Sequence, residues 1–142
     1  MKNNKLLSVM LIIMVAITLI SVVALVVIMK FTGNEGTKEP TAEEIVESSV
    51  DIPEITTNLA DERFIKVAFK LQTDSKKAKK EAEKRNFQIQ NIIIEQLSEM
   101  KAEDFNGRQG KTALRNRLKE EINKLMQEGK IVEVYITSFI IQ

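Results

Sequence analysis

Neither cysteine nor histidine occurs in the 142-residue chain. Their absence closes off several chemistries. No disulfide can form, and no thiolate or imidazole can ligate a metal. A Cys nucleophile and any Ser–His or Cys–His pair are excluded as well. The lack of cysteine does not locate the chain, because exported domains can do without disulfides. Aromatics are scarce, six Phe and one Tyr, and too scattered for a base-stacking platform. The net charge is +1, unlike the concentrated positive excess of a nucleic-acid binder. These absences predict no nucleic-acid partner, no small-molecule substrate, no metal and no cofactor.

Charge is also missing from one long stretch. Leu6 to Met29 carries none of the charged side chains. These 24 residues would span about 36 Å as a helix, enough to cross a hydrocarbon core of about 30 Å with some tilt. The only polar groups inside are Ser8, Thr18 and Ser21, whose hydroxyls can bond back to the helix's own carbonyls. A cleaved signal peptide has a shorter apolar core and a small-residue cleavage site, and no such site follows Met29. The run therefore predicts a single uncleaved transmembrane helix over 6–29. Lys2 and Lys5 precede it, and Lys30 follows it. By the positive-inside rule they place the short head, 1–5, in the cytoplasm and the remainder outside.

The segment 30–44 has two glycines, a proline and many small or acidic residues without apolar periodicity, which predicts a flexible linker. Phe31 to Glu44 could reach at most about 45–50 Å when extended. From Ile45 to Gln142 there are 17 Lys and Arg against 16 Asp and Glu. This part should fold as one α+β domain, 45–142.

Its expected elements follow from periodicity. Ile45–Leu59 reads as a first strand, with Pro53 marking an edge or a bulge. Asn58–Glu62 reads as a turn. Arg63–Thr73 alternates, with Ile65, Val67, Phe69 and Leu71 on one face. The two strands should form an antiparallel hairpin. Asp74 or Ser75 caps a helix running to about Met100. Ala78, Ala82, Ile89, Ile93 and Leu97 form its apolar stripe, widened by Phe87 and Ile94. Glu103–Gly110 breaks it. A second helix, Lys111–Glu128, buries Leu114, Leu118, Ile122 and Leu125, exposes Arg115, Arg117, Lys119 and Glu121, and ends at Gly129 in the αL conformation. Lys130–Gln142 is a last strand with apolar residues on both faces, which predicts a central position in the sheet. The β-β-α-α-β order puts the helices on one face of a small, mainly antiparallel sheet.

Three constellations could carry function. Gly107, Gly110, Lys111 and Thr112 resemble the tail of a phosphate-binding loop, GxxxxGK[ST]. The first glycine of that pattern would fall at Phe105, and the segment follows a helix where a P-loop follows a strand. A helix–helix turn is the better reading. Lys76, Lys77, Lys79, Lys80, Lys84 and Arg85 crowd the start of the first helix. They form either a contact for anionic lipid or wall polymer or a solvated face, with Glu81 pairing Arg85 at i+4. The paired carboxylates, such as Glu43 and Glu44 or Glu120 and Glu121, fall in turns or on polar helix faces with no base or nucleophile beside them.

The segments VDIPEITTNLAD (Val50–Asp61), GKTALRNRLKEEINKLM (Gly110–Met126) and VYITSFIIQ (Val134–Gln142), with one N-terminal span, resemble FliL, the flagellar basal-body-associated family in its Gram-positive bacillus form. Tyr135, Thr137, Phe139 and Gln142 are the most specific signs. The resemblance implies a stomatin-like fold, no enzymatic activity, and a place in the cell membrane at the flagellar basal body. It implies association with the stator proteins MotA and MotB, assembly into a homo-oligomeric ring, and a part in flagellar rotation, swimming or swarming motility and chemotaxis. From the residues alone, the alternative is a membrane-tethered cell-envelope binding module acting through the basic cluster.

Overall fold

The computed structural model describes residues 2–31 and 39–142. They fall into two compact units, 1–39 and 40–142. Helix α1, Lys2–Phe31, makes the first. Its stretch Asn4–Lys30, of mean hydropathy 3.3, is long and apolar enough to cross a membrane. The expected hydroxyl bonds are made: Ser8 Oγ donates to Asn4 O, Thr18 Oγ1 to Met14 O and Ser21 Oγ to Ile17 O, each at 2.8 Å. The helix thus presents no unsatisfied polar group from these residues to lipid. Linker residues 32–38 and the side chain of Lys2 lie outside the described residues.

The second unit runs α2 (Ala42–Glu47), β1 (Ser49–Asn58), β2 (Phe64–Thr73), α3 (Lys76–Lys84), α4 (Asn86–Ser98), a 3₁₀ turn (Ala102–Phe105), α5 (Gly107–Leu125) and β3 (Ile131–Ile141). The first strand starts later than expected because residues before it are helical. Thr41 and Glu44 form a capping box: the Thr41 N–H donates to Glu44 Oε2 at 2.8 Å, and the Glu44 N–H to Thr41 Oγ1 at 3.3 Å. These reciprocal bonds satisfy two orphan donors of a helix too short to hold itself.

The sheet has order β1-β2-β3, antiparallel throughout. This corrects the placing of the last strand: β2 is central and β3 is an edge. The misleading sign was the apolar residues on both faces of β3. Two bulges, at Val132 and Thr137, reset its alternation. Ile131, Val134, Ile136, Phe139 and Ile141 consequently all pair with the inward set Thr73, Leu71, Phe69, Val67 and Ile65. A bulge adds one residue and shifts the phase of everything beyond it. β1 is the other edge, and its register shift lies between Ile52 and Ile55, at Pro53.

Helices α3, α4 and α5 bring Ala82, Ile89, Ile93, Leu97, Leu114, Leu118 and Ile122 onto the inner face of the sheet, all with 0% exposure. Ser75 is the cap of α3, its Oγ accepting from Ala78 N–H at 3.1 Å. One expected helix is in fact two, parted at Arg85, which takes φ −89° and ψ 10°. Phe87 and Ile94 do not widen the buried stripe. They are 72% and 39% exposed, because Phe87 lies about half a turn from Ile89 and Ile94 about 100° round from Ile93. The helix after the break begins at Gly107, where a positive φ of 67° starts it, and ends at Leu125. Gly129 is not its αL cap, since its φ is +150°.

Asn123 joins this helix to the edge strand. Its Nδ2 donates to Ile131 O at 2.9 Å, and Ile131 N–H donates to its Oδ1 at 2.7 Å. The amide mimics a strand neighbour at the first residue of β3. Asn123→Ala should cost about 1–3 kcal/mol, because a half-buried N–H and C=O are then left unpaired. Chemical denaturation would measure it, and a loss under a few tenths would mean water replaces the amide.

Candidate assembly surface

The described residues bring no reactive set together. No group of three or more Asp or Glu is placed to hold a metal ion among them. The glycine-rich segment is a connection between the 3₁₀ turn and α5, not a loop after a strand. Lys111 is turned onto the domain itself. Its ammonium lies 4.9 Å from the centroid of the Phe139 ring, and its Nζ is 3.4 Å from Phe105 O. The rings of Phe139 and Phe105 meet at 5.5 Å between centroids, tilted by 57°. The arrangement is a cation–π cap on an aromatic pair, with no phosphate cradle.

The most distinctive surface is the outer edge of β3 and the flank of α5 beside it. Arg108, Lys111, Thr112, Arg115, Tyr135 and Ile136 line a cleft of about 290 Å³ there. Arg115 departs from the expected wet face. Its Nε donates to Val134 O at 2.6 Å, and its Nη2 pairs with Glu133 Oε1 at 2.6 Å. The same Glu133 oxygen accepts from the Val134 N–H at 3.1 Å. Val134 thus has both backbone groups occupied by side chains. An edge strand exposes unpaired N–H and C=O groups, and this ion pair blunts the edge at one position.

The residues that marked the family resemblance gather on this strand with different tasks. Tyr135 faces the outer side of the sheet, its hydroxyl donating to Gln72 Oε1 at 3.0 Å. Thr137 is the bulged residue. Phe139 packs inward against Phe105. Gln142 exchanges backbone bonds with Phe64, at 2.9 and 3.0 Å, and closes the ladder. The other face of the sheet is open: Phe64, Tyr135 and Ile140 are 53%, 40% and 46% exposed on it, beside the ion pairs Lys66–Glu54 and Lys70–Asp51.

The basic cluster divides. Lys76 pairs with Glu47 at 3.2 Å, Lys77 with Glu128 at 2.6 Å and Arg85 with Glu81 at 2.8 Å. Lys79, Lys80 and Lys84 have no carboxylate within pairing distance among the described residues. Of the charges flanking the span, Lys5 and Lys30 are exposed at the two ends of α1.

Sequence reasoning assigned Glu81 and Asp61 too little. Glu81 is 9% exposed. Besides Arg85 it accepts the Gln127 N–H at 3.0 Å and the Glu128 N–H at 2.6 Å, clasping the chain beyond α5. Burial pushes its carboxyl up, but the Glu128 N–H, the Arg85 guanidinium and the Gln127 N–H outweigh this and lower it below its ordinary value. At Glu133, burial is likewise outweighed by Arg115 and the Val134 N–H. Asp61 is lowered chiefly by the Ala102 N–H, which ties the β1–β2 turn to the 3₁₀ turn at 3.0 Å. The spacing of Glu81 to Arg85 was visible in sequence, and the backbone clasp 46 residues away was not.

Three carboxyls have folded values below their ordinary ones. Each favours the fold above its ordinary pKa and loses that contribution as pH falls through its folded value. The melting temperature should hold steady from about pH 8 to pH 5 and fall below about pH 4.5. With no histidine in the chain, no side chain of ordinary pKa changes charge between those limits. A melting step near pH 6 in a pH series would contradict this.

Comparison with known proteins agrees on one family. The family described as "Flagellar basal body-associated protein FliL" matches residues 49–142, from the first strand to the last. "Flagellar protein FliL" of Bacillus subtilis (strain 168) is 49% identical over 100 residues, 70% of this chain and 71% of that protein. "Flagellar protein FliL" of Aquifex aeolicus (strain VF5) is 27% identical over 93 residues, 63% of this chain and 58% of that one.

Proposed function

The chain belongs to the FliL family of flagellar basal body-associated proteins, and from that premise we propose that it is a non-enzymatic accessory of the flagellar motor. In this reading α1 holds it in the cell membrane with a cytoplasmic head. The segment between α1 and α2 tethers an extracytoplasmic domain that assembles into a ring and meets MotA and MotB. It would support stator engagement, and through it swimming, swarming and chemotaxis.

What carries the reading is that the family match runs from the first strand to the last, across a domain whose described side chains converge on no reactive centre. Its capacity lies in its edges. α4 packs on β1 and α5 on β3. Exposed Glu95 lies on α4 and exposed Glu99 just past its end, while exposed Arg108 lies beside β3. Two different edge strands, β1 and β3, permit head-to-tail contact between copies, the geometry that closes rings.

Deletion in a motile bacterium should reduce swarm expansion, and a fluorescent fusion should form spots at flagellar bases. Uniform membrane fluorescence with normal motility under load would overturn the reading. The chain lacks cysteine, so Thr56→Cys and Ser138→Cys together place one thiol on each edge strand. A flexible bis-maleimide should then yield a ladder of oligomers in membranes. A monomer band alone would remove the head-to-tail ring.

A further inference from the structure

Phe87 and Ile94 are large apolar side chains in water on a well-packed domain, and their position gives them company. α3 and α4 run on almost continuously through Arg85: its N–H donates to Glu81 O, and the Ile89 N–H donates to Arg85 O, each at 2.9 Å. At 3.6 residues per turn, Lys80, Lys84, Phe87, Asn91 and Ile94 therefore share one stripe, opposite Ala82, Ile89 and Ile93. Lys76 begins the same stripe but is held by Glu47. The stripe carries two ammonium groups without acid partners among the described residues, then a phenyl ring 72% exposed and an isoleucine 39% exposed.

We infer that this stripe is a contact face for anionic phospholipid, with Lys80 and Lys84 on headgroup phosphates and Phe87 and Ile94 entering the boundary between headgroups and acyl chains. Basic charge with apolar side chains beside it is what interfacial helices present to a membrane. An ordinary soluble surface gains nothing from a phenyl ring exposed to this extent. The lipid is also at hand: α1 is long and apolar enough to be embedded, so the domain meets headgroups at high effective concentration, and a weak contact suffices. Lys77 and Arg85 are left out, since Glu128 and Glu81 already hold them. The inference rests on the membrane anchor and not on the motor role.

The chain contains no tryptophan, so Phe87→Trp installs a single indole on the stripe. The full chain carrying it is reconstituted into phosphatidylcholine vesicles with and without phosphatidylglycerol. With phosphatidylglycerol, the emission should shift to the blue and be quenched by acyl-brominated lipid. Each lysine near an anionic surface multiplies occupancy about fivefold, so Lys80→Gln with Lys84→Gln should cut the docked-to-free ratio about thirtyfold. Matching melting curves verify that the variants fold. Water-like emission that brominated lipid leaves unchanged in anionic vesicles would overturn the inference. A blue shift without lipid quenching would overturn it too, and would assign the stripe to a protein neighbour. Quenching of equal extent in neutral vesicles would remove the lysines from it. Loss of the motility phenotype alone would leave these readings unchanged, so the two proposals fail separately.

Discussion

Gly110→Ala should lower the stability of the domain by about 2–4 kcal/mol, although alanine is the better helix former. Inside a helix, alanine gains about 1 kcal/mol over glycine, so propensity alone predicts a more stable protein. The neighbours decide otherwise. A Cβ at Gly110 would press on the backbone of the 3₁₀ turn, against the carbonyl oxygen of Asp104 and within 2.9 Å of the Cα and C of Phe105. Backbone cannot rotate away as a flexible side chain can. The turn must shift, and with it Phe105, which is 2% exposed and packs at a tilt against Phe139. Overpacking of this kind commonly costs several kcal/mol. Gly107→Ala provides the contrast. It has φ +67° but open space around it, so only the left-handed backbone is strained, at about 1–2 kcal/mol. Denaturant melts of both should rank Gly110→Ala as the more harmful. A neutral or stabilised Gly110→Ala would mean that the turn does not pack on α5.

The second large effect is expected at Glu81. Glu81→Ala takes away the acceptor for the Gln127 and Glu128 N–H groups and leaves Arg85, whose side chain is 23% exposed, without its carboxylate and bonded only to the neutral Gln88 amide. Unpaired buried donors and a stranded cation are among the costliest single losses. The melting temperature should fall by about 10 °C or more. Glu81→Gln keeps an amide oxygen for one N–H and should fall between. The acid limb offers a second readout. Glu81 contributes stability only while ionised, so the variant should lose less than the parent as pH drops from about 5 to 3. Parallel acid limbs in parent and variant would show that the clasp is not charge-dependent.

What the amino-acid sequence alone makes legible follows a physical line. β2 was legible because Ile65, Val67, Phe69 and Leu71 alternate without a bulge, and the span because nothing charged interrupts it. The core stripe from Ala78 to Leu97 held for the same reason. The misreadings share another cause, since each depends on a distant partner or a local phase shift. Phe87 and Ile94 are apolar, and hydrophobicity alone assigns such residues to a core. The five inward residues of β3 looked split between two faces because bulges cannot be counted from composition. Helix α2 did carry a readable sign, the T-x-x-E of Thr41 and Glu44, masked by the linker-like residues before it. Arg115 was placed on the wet face by periodicity, yet its long side chain reaches the strand beside the helix.

The bulges of β3 carry a consequence for the history of the domain. A residue that opposes no partner can be lost, or a neighbour gained, without flipping the side chains beyond it. Elsewhere in the strand a single deletion would turn every later inward residue to the outside. Length differences among relatives should therefore collect at Val132, at Thr137 and at the Pro53 kink of β1, the three places where the sheet counts one residue too many. Between them, the strands should change their residues freely and their number not at all.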